Sequence, residues 1–194
     1  LTLAGEGEAN IVGNSYNNLL VGNNADNTID GGGGNDSLIG AGGDDMLMGG
    51  AGNDWLDGSA GWDTAMGGSG DDTLFADEGG TVVDPTRSDL LSGGSGADLL
   101  IAGASVDAQS VRMLGGSGAD KFRVASLEGI DGQASALPLR VKAFIADLGL
   151  ADGLDVSALR TQSTGGVALT SSTLLPSVPS APDLLIALAN RFVT

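Results

Sequence analysis

The chain has 194 residues, including 34 Gly but only two Trp, one Tyr and four Phe, and its formal net charge is −17. It contains no Cys and no His, which excludes disulfides, thiolate zinc sites, His-rich metal sites and a Ser–His catalytic triad. The strong negative charge also argues against nucleic acid or an anionic membrane surface as a partner.

From Gly13 the chain repeats a nine-residue unit, Gly-Gly-x-Gly-x-Asp-x-apolar-x. Seven units run in register over residues 13–75, and further units begin at Gly93 and Gly115. A fixed period of this kind indicates a solenoid. The alternative is a disordered Gly-rich linker, but a linker would not keep an apolar residue at every ninth place. The sixth position reads Asn18, Asn27, Asp36, Asp45, Asp54, Asp63, Asp72, Asp98 and Asp120.

Each position of the unit has a predicted structural role. Glycines at positions one, two and four allow positive φ and a tight turn. Positions seven to nine form a short strand whose middle apolar side chain faces inward. One unit is then half a coil, and units two apart in sequence stack at about 4.8 Å. The sequence therefore predicts an all-β fold, a right-handed parallel β-roll.

Two longer segments are interpreted as enlarged units. Residues 76–92 place Asp89 at position six, and residues 102–114 place Met113 at position eight, with Ser110 or Asp107 at position six. Alternate units then define two edges of the roll. Edge A carries Asn18, Asp36, Asp54, Asp72, Asp98 and Asp120. Edge B carries Asn27, Asp45, Asp63, Asp89 and the turn of residues 102–114.

Stacked acidic residues on each edge predict a calcium site, because Ca²⁺ prefers carboxylate and carbonyl oxygens. The predicted pairs are Asp36/Asp54, Asp54/Asp72, Asp72/Asp98 and Asp98/Asp120 on edge A, with Asp45/Asp63 and Asp63/Asp89 on edge B. Pairs that include Asn18 or Asn27 carry less charge and should bind more weakly. The adjacent acids Asp44–Asp45 and Asp71–Asp72 are interpreted as loop residues rather than paired catalytic acids, so the chain itself is not expected to be an enzyme.

The charge is unevenly distributed along the chain. Residues 1–86 contain fifteen Asp and Glu and no Lys or Arg. Carboxylates stacked at strand spacing repel one another, and ordering many glycines costs conformational entropy. The repeats are therefore expected to be unfolded without calcium and to fold when it binds.

The array resembles the RTX (repeats-in-toxin) segments of proteins that Gram-negative type I systems secrete. The resemblance covers roughly residues 1–160 and is strongest over residues 31–75. It implies a parallel β-roll with Ca²⁺ held by the position-six Asp residues and by turn carbonyls. Because the chain starts inside the pattern without a Met, we interpret it as a fragment of a longer protein.

The period is expected to stop after Val124, which divides the chain into a calcium-binding roll (1–123) and a C-terminal capping segment (124–194). Residues 139–145 and 153–159 are predicted strands similar to the segment that follows the array in serralysin-type proteases. Ala143 stands where that family usually has Asp, whereas Asp152 and Asp155 match it as cap residues or ligands. Residues 180–192 predict a short terminal helix, either a docked cap or an export signal.

The leading functional hypothesis is a calcium-binding module that folds outside the cell and supports type I secretion and folding of a larger protein. Extracellular modules bind calcium with Kd on the order of 10⁻⁴–10⁻³ M, so such repeats would stay unfolded in the cytosol. The alternatives are an anchoring or assembly region of a cell-surface adhesin or surface-layer protein, and an accessory module of an exported protease, lipase or alginate epimerase. The expected partners are calcium ions and the secretion machinery, with self-assembly or packing on the parent protein through exterior residues such as Ile39, Met48, Trp55, Phe75 and Ile101.

Overall fold

The computed structural model describes residues 1–76, 88–102, 110–124, 142–145, 152–155 and 184–187. The described part of the chain consists of short β-strands joined by tight turns. The strands are β1 Ala9–Asn14, β2 Leu19–Val21, β3 Asn27–Gly33, β4 Ser37–Gly42, β5 Met46–Ala51, β6 Trp55–Ala60, β7 Thr64–Ser69, β8 Thr73–Ala76, β9 Ser88–Ser95, β10 Leu99–Ala102, β11 Ser110–Ser117, β12 Lys121–Val124, β13 Lys142–Ile145, β14 Gly153–Asp155 and β15 Leu184–Ala187.

Consecutive strands alternate between two sheets. Strands with odd numbers form an eight-stranded sheet, and strands with even numbers form a seven-stranded sheet. Neighbours within the repeat array pair in parallel, with Leu38 beside Leu56 and Leu47 beside Ala65. Two nonapeptides therefore complete one coil, and the predicted parallel β-roll is confirmed.

The position-eight side chains form the core between the two sheets. Leu38, Leu56 and Leu74 stack in register in one sheet, and Ile29 and Leu47 face them from the other. All five side chains are fully buried. Both enlarged units keep the pattern, with Leu91 and Met113 in register on the eight-stranded sheet. In the regular units a single apolar position thus supplies the core, as predicted, and Ala76, Ala102 and Val111 of the two enlarged units add to it.

Most strands are longer than the predicted three residues. Strand β4 spans positions seven to nine of one unit and positions one to three of the next, and Ala41 and Gly42 pair with Ser59 and Ala60. The backbone of the early loop positions therefore belongs to the ladder as well. The reason is that identical loops stack in identical register, so their N–H and C=O groups meet their equivalents one coil away.

The stacking continues beyond Val124, where the sequence period ends. Strand β13 pairs in parallel with β11, and β14 pairs in parallel with β12. The predicted capping segment thus extends the two sheets of the array, because β-pairing needs register rather than the nonapeptide. The predicted strands over 139–145 and 153–159 are confirmed where they are described.

Strand β15 corrects the predicted terminal helix over the residues that the structure describes. Leu184–Ala187 pair antiparallel with β13, and the other residues of that predicted helix lie outside the described part. A short apolar run satisfies helix and strand patterns equally, so periodicity could not distinguish them. Among the described residues, no helix is long and apolar enough to cross a membrane.

The exterior apolar residues lie on two different faces. Ile39, Trp55, Phe75 and Ile101 occupy outward positions of the seven-stranded sheet, where the rings of Trp55 and Phe75 are 5.3 Å apart. Met48 lies on the eight-stranded sheet beside Met66. The five residues therefore do not form one continuous surface.

Candidate calcium-binding loops

The loop backbone is shaped by glycine at positions two and four. In the unit that begins at Gly49, Gly50 and Gly52 have φ values of 107° and 127°, a region that residues with a Cβ rarely adopt. At position two of later units, Ala41 and Ser59 also adopt positive φ, 88° and 65°, whereas Asn14 and Asn23 of the first two units do not. Positions two and four therefore behave as predicted from the unit that begins at Gly31 onward.

Position one is glycine for a different reason, so that part of the prediction is wrong. Gly31 does not have positive φ. A Cβ at Gly31 would lie 2.7 Å from the carbonyl oxygen of Gly49 in the next coil, and closer still to Oδ2 of Asp36. The same pair of oxygens, one carboxylate and one carbonyl, surrounds Gly40, Gly49, Gly67 and Gly93. Position one is thus where hard oxygen atoms from two coils converge.

The position-six carboxylates form a ladder along each edge. On edge A, the backbone N–H of Asp36 donates to Oδ1 of Asp54 at 2.7 Å, and the N–H of Asp54 donates to Oδ1 of Asp72 at 2.8 Å. Equivalent bonds join Asp72 to Asp98 at 2.9 Å and Asp98 to Asp120 at 3.0 Å.

Edge B has the same ladder. The N–H of Asp45 donates to Oδ1 of Asp63 at 2.9 Å, and the N–H of Asp63 donates to Oδ1 of Asp89 at 3.0 Å. Asp89 lies at position six of an enlarged unit, yet it falls in register. The structure thus brings together all six acidic pairs that the sequence predicts.

Several of the second carboxylate oxygens have no hydrogen-bond partner in the described part of the chain. Within the described residues, the Oδ2 atoms of Asp36, Asp45, Asp54, Asp72 and Asp98 are buried and make no hydrogen bond. Buried polar atoms are nearly always satisfied in folded proteins, and exceptions point to a missing ligand, ion or water. A cation at these loops would supply that missing interaction.

Burial of the ladder perturbs the acidity of its carboxyl groups. Burial raises the pKa of Asp45, Asp72 and Asp89 to about 7 and that of Asp63 to about 6, despite opposing backbone hydrogen bonds. Neighbouring carboxylates add smaller increases at each. Burial likewise raises the pKa of Asp54 and Asp98. Without a positive charge beside them, these groups resist ionisation near neutral pH.

The donor set fits calcium better than softer metals. It consists of carboxylate and backbone carbonyl oxygens, which Ca²⁺ binds with six to eight ligands. In the described residues, no three acidic, His or Cys side chains converge on one point. Any cation here must therefore take its remaining ligands from the loop carbonyls, as expected for stacked turns with one Asp each.

Asn18 and Asn27 occupy position six of the first two units, and their side chains make different hydrogen bonds from those of the Asp residues. The Oδ1 atoms of Asn18 and Asn27 each accept the N–H of position two in their own loop, from Asn14 and Asn23, at 2.8 Å. The Nδ2 of Asn27 also donates to Oδ1 of Asn23 at 3.2 Å. These loops are closed by protein hydrogen bonds, and a carboxamide donor directed into a loop disfavours a cation. Their weaker calcium binding remains a prediction.

A second ladder at position five was not predicted. The N–H of Asn53 donates to Oδ1 of Asn35 at 2.9 Å, and the N–H of Asp71 donates to Oδ1 of Asn53 at 3.1 Å. On edge B, the N–H of Asp44 donates to Oδ1 of Asp26 at 2.8 Å. At position five each N–H donates to the preceding coil, whereas at position six each N–H donates to the following coil. Asp44 and Asp71 are thus loop residues, as interpreted.

The two edges end differently. On edge B, Val111 pairs with Asp89, and Ser110 pairs with Ser88. The expectation that Ser110 follows Asp89 on the ladder is therefore wrong, and Asp107 lies outside the described residues. On edge A, the N–H of Asp120 donates to Oδ1 of Asp152 at 3.0 Å. The ladder thus stops at Asp89 on one edge and continues past the last nonapeptide on the other.

Comparison with known protein families agrees with this geometry. A family model for the RTX calcium-binding nonapeptide repeat (4 copies) matches residues 3–38, 12–47, 39–74 and 86–108. No curated protein and no solved structure matches the chain. The matched residues contain the Gly-rich loops and most of the position-six ladder. The repeats of this chain therefore belong to the RTX calcium-binding nonapeptide repeat family and bind Ca²⁺ at several sites.

Proposed function

We propose that this chain is a calcium-triggered folding module of a larger exported protein, and that the module is not itself catalytic. In this role it stays unfolded where calcium is scarce, passes through a type I secretion system, and folds outside the cell. The ligands are the position-six Asp residues of edges A and B together with carbonyls of their loops. Folding at the exit opposes back-sliding and helps the rest of the protein to fold.

One observation supports this proposal above the others. The ladder places carboxylates one coil apart and buries them. Within the described residues, the Oδ2 atoms of Asp36, Asp45, Asp54, Asp72 and Asp98 make no hydrogen bond. Residues 1–86 contain no Lys or Arg that could neutralise them. A buried, uncompensated carboxylate is strongly unfavourable. A bound divalent cation removes that penalty, so its binding free energy becomes folding free energy.

Titration of the purified chain with calcium tests the folding step. In metal-free buffer at pH 8, we expect the circular-dichroism spectrum of an unfolded chain and a radius of gyration of roughly 45–50 Å. Added Ca²⁺ should produce a cooperative transition to a β-rich, compact form. Mg²⁺ at the same concentration serves as the control, because it requires octahedral geometry and dehydrates reluctantly. A chain that is equally compact in excess chelator contradicts the proposal.

Export is tested separately, in a host that carries a type I exporter. Deletion of residues 180–194 should stop secretion if this segment carries the export signal. The control is the full chain with Asp54→Asn and Asp72→Asn, which should still leave the cell but need more calcium to fold. Normal secretion of the deletion variant would remove the export part of the proposal and leave the calcium-binding part intact.

A further inference from the structure

Asp152 makes the backbone and side-chain contacts of a ladder residue. Between Asp98 and Asp120, the Asp98 N–H donates to Asp120 Oδ1 at 3.0 Å, and the N–H of Lys121 donates to the Asp98 carbonyl at 2.7 Å. Between Asp120 and Asp152, the Asp120 N–H donates to Asp152 Oδ1 at 3.0 Å, and the N–H of Gly153 donates to the Asp120 carbonyl at 2.7 Å. Asp152 therefore follows Asp120 as the next residue of the carboxylate ladder on edge A.

No repeat motif leads to Asp152. It follows Asp120 by 32 residues, and the residues where a repeat has Gly-Gly-x-Gly read Asp147-Leu-Gly-Leu. The family match ends at residue 108. The position of Asp152 is fixed instead by strand register, since Lys121 pairs with Gly153 and Phe122 pairs with Leu154. The side chain thus reaches the ladder without a nonapeptide motif before it.

The loop before Asp120 has the features of the other calcium loops. Gly116 and Gly118 have φ values of 96° and 146°, and Oδ2 of Asp120 approaches Gly115 as Oδ2 of Asp98 approaches Gly93. This loop therefore offers the same carbonyls as the loops before it. Beside Gly93 the following coil contributes the Gly115 carbonyl. Beside the loop of Asp120 the following coil contributes, among the described residues, the carboxylate of Asp152, which lies in register.

We propose that Asp152 is a calcium ligand: its carboxylate, with that of Asp120 and carbonyls of residues 115–119, holds a Ca²⁺ that fastens strand β14 to the last repeat coil. This site rests on the proposed function and lies beyond the family motif. It couples the C-terminal segment to the calcium state of the array on edge A. Edge B has no equivalent, because Val111 follows Asp89.

Two substitutions in the full chain distinguish a ligand from a structural hydrogen-bond acceptor. Asp152→Asn keeps an oxygen that can accept the Asp120 N–H but removes the charge, whereas Asp152→Ala removes both. If Asp152 is a ligand, calorimetric titration should show one fewer Ca²⁺ per chain in both variants. Hydrogen exchange should show that residues 152–155 need at least tenfold more calcium for protection. Asp30→Asn, which removes the same charge from strand β3, where Asp30 pairs with Met48 outside the ladder, is the matched control and should behave like the wild-type chain.

The outcomes separate the inference from the function on which it rests. If Asp152→Asn binds as many ions as the wild-type chain and only Asp152→Ala is impaired, Asp152 is a structural acceptor and the inference is wrong. If the wild-type chain binds no calcium, the proposed function fails first. Hydrogen exchange of strands β4–β8 in the same samples shows whether the upstream coils have folded.

Discussion

Glycine at position one is the least replaceable residue of the unit. Position two accepts Ala41 and Ser59, and position four is Tyr16 and Ala25 in the first two units, but position one is glycine in all nine regular units. The reason is steric rather than conformational, because a Cβ there would collide with the oxygens that converge from two coils. The same closeness makes those oxygens available to one ion.

Gly49→Ala tests this requirement. Its Cβ would lie 2.7 Å from the Gly67 carbonyl oxygen and closer to Asp54 Oδ2. We expect it to destabilise the calcium-bound form by about 1–3 kcal/mol, the usual cost of overpacking. The calcium midpoint of the circular-dichroism transition should rise accordingly. Gly33→Ala is the control, because its Cβ would meet no neighbour closer than 3.8 Å. Equal midpoints for the two variants would show that the steric account is wrong.

The sequence predicted the residues of the position-six ladder but not those of position five. Asp at position six recurs with its glycines, so its type and spacing identified the pairs Asp36/Asp54 and Asp63/Asp89. Position five varies among Asn35, Asn53 and Asp71, and short polar residues are common in any turn. Their function depends on a backbone N–H one coil away, which no local pattern reveals.

Among the strands, the position-eight residues stabilise the array through stacking with their neighbours. Leu56 of β6 is fully buried and lies between Leu38 of β4 and Leu74 of β8. Since each coil contacts mainly the coils on either side, stability is a sum of coil and interface contributions. A cavity in the middle of the array therefore weakens two interfaces.

Leu56→Ala should lower the free energy of unfolding of the calcium-bound form by about 2–5 kcal/mol, the range for removing a buried Leu side chain. Denaturation in urea at saturating calcium measures the change. Leu19→Ala makes the same chemical change on a side chain that is 58% exposed and should shift the midpoint little. Similar shifts for both variants would contradict the assigned core.

Alternation of the units predicted the order of strands in both sheets, including β9 after the first enlarged unit. The sequence could not place β13 and β14, because their register comes from pairing with β11 and β12 rather than from a repeat. It also failed at Leu184–Ala187, where four apolar residues suit either structure and the available edge of β13 favours a strand. Prediction therefore succeeded where the period holds and failed where long-range pairing decides.

In the whole molecule, some of the acidic side chains that give the chain its excess negative charge are buried. The ladder residues Asp45, Asp63, Asp72 and Asp89 are nearly fully buried, and burial raises the pKa of each. Two species can remove the charge, protons and cations. The folded chain should therefore respond to acid and to calcium through the same carboxyl groups.

Without calcium, acid should stabilise the roll. The folded-state pKa is about 7 for Asp72 and about 6 for Asp63, whereas an unfolded Asp has a pKa of about 3.9. Between about pH 4 and 7 the folded form binds more protons, so the free energy of unfolding rises as the pH falls. Circular dichroism of resin-treated, metal-free protein should show more β-structure at pH 5 than at pH 8.

The pH midpoint of this circular-dichroism transition distinguishes protonation of the buried ladder from a general loss of charge repulsion among exposed carboxyl groups. Ordinary exposed carboxyl groups would give a midpoint near pH 4, whereas the buried ladder should give one near 6–7. Calcium affinity should fall over the same range, because protons compete for the ligands. A pH-independent spectrum in the absence of metal would contradict the raised pKa values.

Successive nonapeptide units alternate between the two edges of the roll, so the number of units that precede a residue determines its edge. Because successive units face opposite edges, an insertion of eighteen residues would lengthen the roll and leave everything downstream on its original side. An insertion of nine upstream would exchange the sides: Phe122 would move to the other sheet, and Asp120 and Asp152 would move together to the other edge. Duplication of such a sequence therefore leaves the downstream residues on their original edge only when it adds an even number of nonapeptides.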